Sequence, residues 1–488
     1  MKKLLTLVVA GCMVLGSLGA ASAIDVKISG QWWFHYGYYG NNTLVEKNDS
    51  GAHSDRTIAR QRVRTQFQFI ADENLSAMLN LEASSEWGRP GGSGYIDADK
   101  TSFVIKRAHL DWTIPGTQIK TRMGIQGITM PNVAYGAHPV LNADVAGISV
   151  SSQFTPEIGL TAFWIRPYDT VGLGTTDQKD GVNQLDEMDV FGFMLPIRTD
   201  AVRATPWGMF AFIGKDAEFF GSQAAGSYGV NAKTGATEWT APKYTGNALY
   251  NYRGRPSPAT GDIDSTSYGW WLGTTFELPI LDPFFVKLDA MMGGLETGDN
   301  DYDTFGWLVA ANIGYKFSWG SLSVRGWYSS GDDSDDDRGY LPVISDDLNG
   351  NTMTRYGLGG TYARSQQGII STSGIGMWGI GLQLADFSFI DNLKHTATVM
   401  YMGGTNQGDA IARRDTHGMT GVTHFGADYL MTSDRAWEIN LLSEYKVNQN
   451  LTIGVDFAYV WLDLGDHWNN KGDTEGSFAT MIGVTYSF

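Results

Sequence analysis

Ser477-Phe478-Ala479-Thr480-Met481-Ile482-Gly483-Val484-Thr485-Tyr486-Ser487-Phe488 alternates along its whole length. Phe478, Thr480, Ile482, Val484, Tyr486 and Phe488 fall on one face, and Ala479, Met481, Gly483, Thr485 and Ser487 on the other. A period of two marks a β-strand, because successive side chains leave opposite sides of the backbone. One face is mostly apolar and aromatic and the other small or weakly polar, which suits a strand with lipid on one side and a wet lumen on the other. A strand buried on both sides would be apolar throughout.

Upstream, the pattern recurs. Phe305, Trp307, Val309, Ala311, Ile313, Tyr315, Phe317 and Trp319 share a face with aromatics at both ends and aliphatics between. That order matches a hydrocarbon band between two interfacial girdles. Leu451, Ile453, Val455, Phe457, Tyr459 and Trp461 repeat it, and Val26, Ile28, Trp32, Phe34, Tyr36 and Tyr38 do so near the start. Tight turns such as Pro115-Gly116, Leu281-Asp282-Pro283 and Asn448-Gln449-Asn450 alternate with long polar connections. Those connections lie near residues 41–55, 88–100, 129–146, 169–185, 217–265, 297–303, 331–374, 406–432 and 464–475. The count predicts an all-β fold, a closed antiparallel transmembrane β-barrel of about eighteen strands, or sixteen if one weak pair is miscounted. Short turns would lie at the periplasmic rim and long loops at the extracellular one. A soluble sandwich would need a second apolar layer, and an open sheet would leave its edges bare.

Composition narrows the class further. Charged residues make up 18% and the mean hydropathy is −0.19, too polar for a helical membrane protein. Met1-Lys2-Lys3, an apolar run from Leu4 to Ala20, and Ala21-Ser22-Ala23 have the form of a signal leader. The expectation is a removable segment 1–23 followed by one barrel domain, 24–488. The single cysteine, Cys12, lies in that leader, so the exported chain would hold no disulfide or thiolate site. A formal net charge of −17 argues against nucleic acid as a partner.

Candidate lumen residues follow from the alternation. Arg60, Arg62 and Arg64 stack along one side of the second strand, with Arg107 and His109 on the fourth and Lys120 and Arg122 on the fifth. Glu82, Glu277, Asp289, Glu438, Glu444 and Asp456 form the acidic set, mostly later in the chain, so the two sets would occupy different arcs and set a field across the lumen. For any single arginine, pairing with Glu82 or Glu86 of the next strand is the alternative. The run Asp332-Asp333-Ser334-Asp335-Asp336-Asp337 could hold Ca²⁺ or Mg²⁺, but it lacks an EF-hand's glycine and closing glutamate and reads better as a solvated loop tip. His417 and His424 match no zinc spacing, and no other cofactor is expected. A hydrolase would need a serine oriented by histidine, and neither His109 nor His395 has an evident serine partner.

Together, the leader, the alternating strands and the closing Gly483-Val484-Thr485-Tyr486-Ser487-Phe488 resemble Gram-negative outer-membrane porins. The length, the Trp-rich first strand and the acidic loops are similar to the homotrimeric porins of sulfate-reducing bacteria. The resemblance implies a homotrimer with one pore per subunit, set among outer-membrane lipid and lipopolysaccharide. It implies that Gly483, Tyr486 and Phe488 are read by the barrel-assembly machinery. It also implies that the third long loop, residues 130–146 with Asp144, folds into the lumen as a constriction. The expected activity is passive diffusion of ions and small hydrophilic solutes, with an anion-selective channel as the alternative and a hydrolase or adhesive surface protein behind it.

Overall fold

A computed structural model describes residues 24–41, 55–88, 103–169, 187–215, 227–230, 237–240, 265–298, 302–333, 339–344, 374–407, 430–463, 465 and 476–488. The expected leader, Ser334 to Asp337 of the acidic run, and the loop carrying His417 and His424 lie outside these residues. Among these residues twenty-one strands follow in order: β1 (Asp25–Gly40), β2 (Arg56–Ile70), β3 (Leu75–Glu86), β4 (Val104–Thr113), β5 (Lys120–Thr129), β6 (Asn142–Gln153) and β7 (Gly159–Asp169). They continue with β8 (Glu187–Met194), β9 (Ile197–Arg198), β10 (Arg203–Ile213), β11 (Ser227–Val230), β12 (Thr237–Thr240), β13 (Ser267–Glu277) and β14 (Phe284–Glu296). The last are β15 (Thr304–Phe317), β16 (Gly320–Ser329), β17 (Met377–Phe387), β18 (Leu393–Gly404), β19 (Arg435–Lys446), β20 (Leu451–Asp463) and β21 (Ser477–Ser487).

β11 and β12 form a separate hairpin, and the two-residue β9 continues β8 along the same side of β10. Eighteen staves remain, each antiparallel to its neighbours. β21 closes the ring on β1, from Gln31 opposite Ser487 to Gly40 opposite Phe478. Closure satisfies every edge, which is the requirement for a sheet in lipid.

The outer wall carries the apolar stripe read from the sequence. On β15, Phe305, Trp307, Val309 and Ile313 are exposed, while Leu308 and Ala310 between them are buried inside. β20 and β21 repeat this with Val455, Phe457, Trp461, Ile482 and Tyr486 outside. No helix among the described residues is long and apolar enough to cross a membrane.

The molecule's buried core lies inside the ring. Inward Trp207, Met209, Ala211, Trp271, Met291, Leu295 and Leu308 pack against loop residues Met130, Tyr135, Val140, Tyr340 and Leu341. An inward apolar position near the long-loop rim is therefore covered by inserted chain and kept from water, which supplies burial that a simple water-filled barrel lacks.

Candidate functional site

Among the described residues, two inserted segments shape the lumen. Residues 130–141, between β5 and β6, cross to β14, where the Asp289 carboxylate accepts backbone N–H bonds from Val133 (2.9 and 3.1 Å), Ala134 (2.8 Å) and Tyr135 (2.8 Å). Successive N–H groups converging on one anion form a concave nest, which meets the charge with fixed dipoles. Tyr135 then meets Trp327 of β16 edge-on at 6.2 Å between ring centres, and His138 meets Trp207 of β10 at 4.9 Å. His138 Nδ1 accepts from Val140 N–H at 3.2 Å. Burial pulls its pKa down to about 3, so the ring is neutral where it is docked.

Residues 339–344 form the second insert. Ile344 N–H donates to Val140 O at 2.9 Å, tying the two segments together, and Trp271 Nε1 donates to Pro342 O at 2.8 Å. Gly306 on β15 is what lets this segment lie flat on the wall, since a Cβ there would collide with the backbone of Tyr340 and Leu341. The second insert had no counterpart in the sequence reading. A run of buried apolar residues in a long loop, Tyr340-Leu341-Pro342-Val343-Ile344, is the signal that could have found it.

Arg60, Arg62 and Arg64 line the inner wall as a ladder, each in cross-strand register with β1 and β3. Arg60 Nη2 donates to Glu86 Oε2 at 2.9 Å and Arg64 Nε to Glu82 Oε2 at 2.5 Å. Between them, the Arg62 guanidinium lies 4.6 Å over the Trp33 ring, which stacks in turn on His35. On the neighbouring staves Arg122 is bidentate to Asp111 at 2.6 and 2.8 Å, and buried His109 lies alongside with its Nε2 3.8 Å from Asp111 Oδ2. Lys120 shares the inner face, opposite Thr113 and Ser151. Opposite-charge pairs at cross-strand positions are the sheet's usual stabilising contacts, and here they also spread the positive charge into an alternating strip.

Several placements correct the expectations. Asp144 is not in the inserted loop, which ends at Leu141; it is the third residue of β6 and shares the outer face of Ala146, Ile148 and Val150. Arg107 has left the lumen as well, because β4 carries a bulge between its Arg107–Asn80 and Ile105–Leu81 pairs, and its Nε donates to Asp144 Oδ1 at 2.6 Å. Asp289 is a latch for the loop rather than a free lumen charge. Glu277 lies inward near Arg203 and Lys287, at 3.9 and 4.0 Å.

Glu438 and Asp456 face inward but are buried, with Asn440 Nδ2 donating to Glu438 Oε1 at 2.7 Å, and Glu444 shares their side opposite Lys394 and Gly454. β20 is separated from the arginine ladder only by β21 and β1, so these acids adjoin the basic wall instead of facing it across the lumen. Asp332, expected at a loop tip, is buried at the rim with its N–H on Asn406 Oδ1 at 2.9 Å. His395 does have a serine partner: Nδ1 lies 2.8 Å from Ser443 Oγ, but on the outer face that also carries Val399. No third group orients that pair among the described residues. The closing residues form the seam, with Gly483 inward between His35 and Gly454, Tyr486 outward, and the Phe488 backbone paired with Gly30 in both directions at 2.8 and 3.0 Å.

No protein-family model matches this chain, and no curated protein matches it by sequence. Solved structures do match in fold. Pseudomonas aeruginosa OprD aligns with a TM-score of 0.51 and 12% identity over 96% of this chain and 97% of that one. Acinetobacter baumannii OccAB3 gives 0.50 and 11% over 95% and 99%, and Pseudomonas aeruginosa OpdQ gives 0.50 and 12% over 95% and 98%. The chain thus has the same closed-barrel fold along nearly its whole length, at identities where the fold alone is shared.

Proposed function

We propose that this chain is an outer-membrane porin through which ions and small hydrophilic solutes diffuse passively. The observation that carries the reading is the inversion of the barrel: exposed apolar side chains outside, and a charged, solvent-touching ladder inside beside an inserted loop. A barrel of this stave number is wide enough for an aqueous passage. Arg60, Arg62, Arg64, Lys120 and Arg122 would line it, with Glu82, Glu86 and Asp111 holding the cation side chains against the wall.

The pairing of the ladder favours general diffusion over a dedicated anion track, because Glu86 and Glu82 offset two of its charges locally. Planar-bilayer conductance in a salt gradient is the test. The wild type should conduct without saturation, and replacing all three ladder arginines by alanine should move the reversal potential toward cation preference. Conductance that saturates with one anion would favour the selective channel, and phospholipid turnover by solubilised protein would favour a hydrolase. The reading extends to a homotrimer among lipopolysaccharide, inserted by the barrel-assembly machinery through Gly483, Tyr486 and Phe488. What supports this is the resemblance to the trimeric porins of sulfate-reducing bacteria, and the measured mass of the detergent-solubilised protein tests it.

A further inference from the structure

The bulge in β4 builds something on the outer wall that a regular strand cannot. Alternation sends consecutive residues to opposite faces, yet Lys106 and Arg107 both reach the outward carboxylate of Asp144, at 3.1 and 2.6 Å. The extra residue, Lys106, has no partner in the register with β3, and this shift turns both cations to one side. Beneath them Gly127 leaves the wall bare, and any Cβ there would occupy the space of the Arg107 guanidinium.

Two cations thus share one carboxylate, and the cations are the exposed part: the side chains are 44% accessible for Arg107 and 32% for Lys106, against 19% for Asp144. Arg107 gives its Nε to Asp144 and lays Nη2 over Gly127, and among the described residues its two terminal amino groups make no further hydrogen bond. The cluster lies two or three residues from the long-loop ends of β4 and β6, with exposed Phe103, Val104 and Ile105 beside it. A surplus positive charge with open forked donors fits a phosphate, and the apolar neighbours fit acyl chain.

We infer that Lys106 and Arg107 form a binding site for a phosphate-bearing glycolipid of the outer leaflet, held from outside the barrel. The inference rests on the reading of this chain as a membrane-spanning barrel with its long loops outward. Asp144 is its positioning residue, fixing the guanidinium flat against the strand.

Detergent-solubilised barrel titrated with diphosphorylated lipid A, with the dephosphorylated lipid and with inorganic phosphate tests it. The wild type should prefer the phosphorylated lipid, and each of Lys106→Ala and Arg107→Ala should weaken that binding about fivefold, the usual worth of one basic residue near anionic headgroups. Arg107→Lys should retain most of it and also covers the case in which an alanine variant fails to fold. Equal binding of the two lipids, or phosphate binding as well as the lipid, would overturn the site. So would an altered single-channel conductance in Arg107→Ala, which would place the side chain back in the lumen. A wild type that prefers the phosphorylated lipid but does not conduct would sink the channel reading and leave this site standing.

Discussion

A carboxylate in a buried wall is stable only when its oxygens are met, and at Asp289 they are met by the backbone of another part of the chain. Each hydrogen bond to a charged group contributes about 1.5–3 kcal/mol. Asp289→Ala should therefore release residues 130–141 from β14 and raise single-channel conductance, whereas a lumen charge with no latching role would alter selectivity alone. His138 makes the same docking sensitive to acid. Its imidazole is held neutral with a pKa near 3, against 6.5 when free, so a released loop binds more protons between those values. Docking should weaken as the pH falls from about 6.5 toward 3, with conductance rising, and His138→Phe should flatten that profile. Neither role was legible beforehand, because sequence shows that a residue can ionise but not which distant backbone will reach it.

Alternation was the readable property of the elements. On β15 every other residue from Phe305 to Phe317 meets the outside, as its spacing implied. Ile313→Arg should accordingly destabilise the barrel by about 2–4 kcal/mol near mid-membrane, measured by urea titration in vesicles, while a polar change at inward Asn312 should cost far less. The ladder is an element-scale object too. Its pairs are partly exposed, so Glu82→Gln should cost at most about 1 kcal/mol of stability, but it should shift the reversal potential toward anions by uncovering Arg64. The β4 bulge escaped notice because one extra residue leaves the hydrophobic pattern on either side intact while reversing which side Arg107 serves.

For the whole molecule, the hydrophobic periodicity, the alternation of short turns with long loops and the apolar exterior determined a closed barrel of about eighteen staves with sixteen left open, and the structure has eighteen. Those features depend on the two-residue repeat of the strand and on the cost of bare backbone in lipid, and both act locally along the chain. The tertiary structure decided what the lumen holds: which loops enter, that Asp289 grips one of them, that Glu438 and Asp456 lie near the arginine ladder, and that Asp144 and Arg107 stand outside. These outcomes depend on contacts between residues far apart in sequence, such as Asp289 with Tyr135 and Val140 with Ile344. Such contacts exist only once the ring has closed and its curvature has brought opposite staves within reach of a loop.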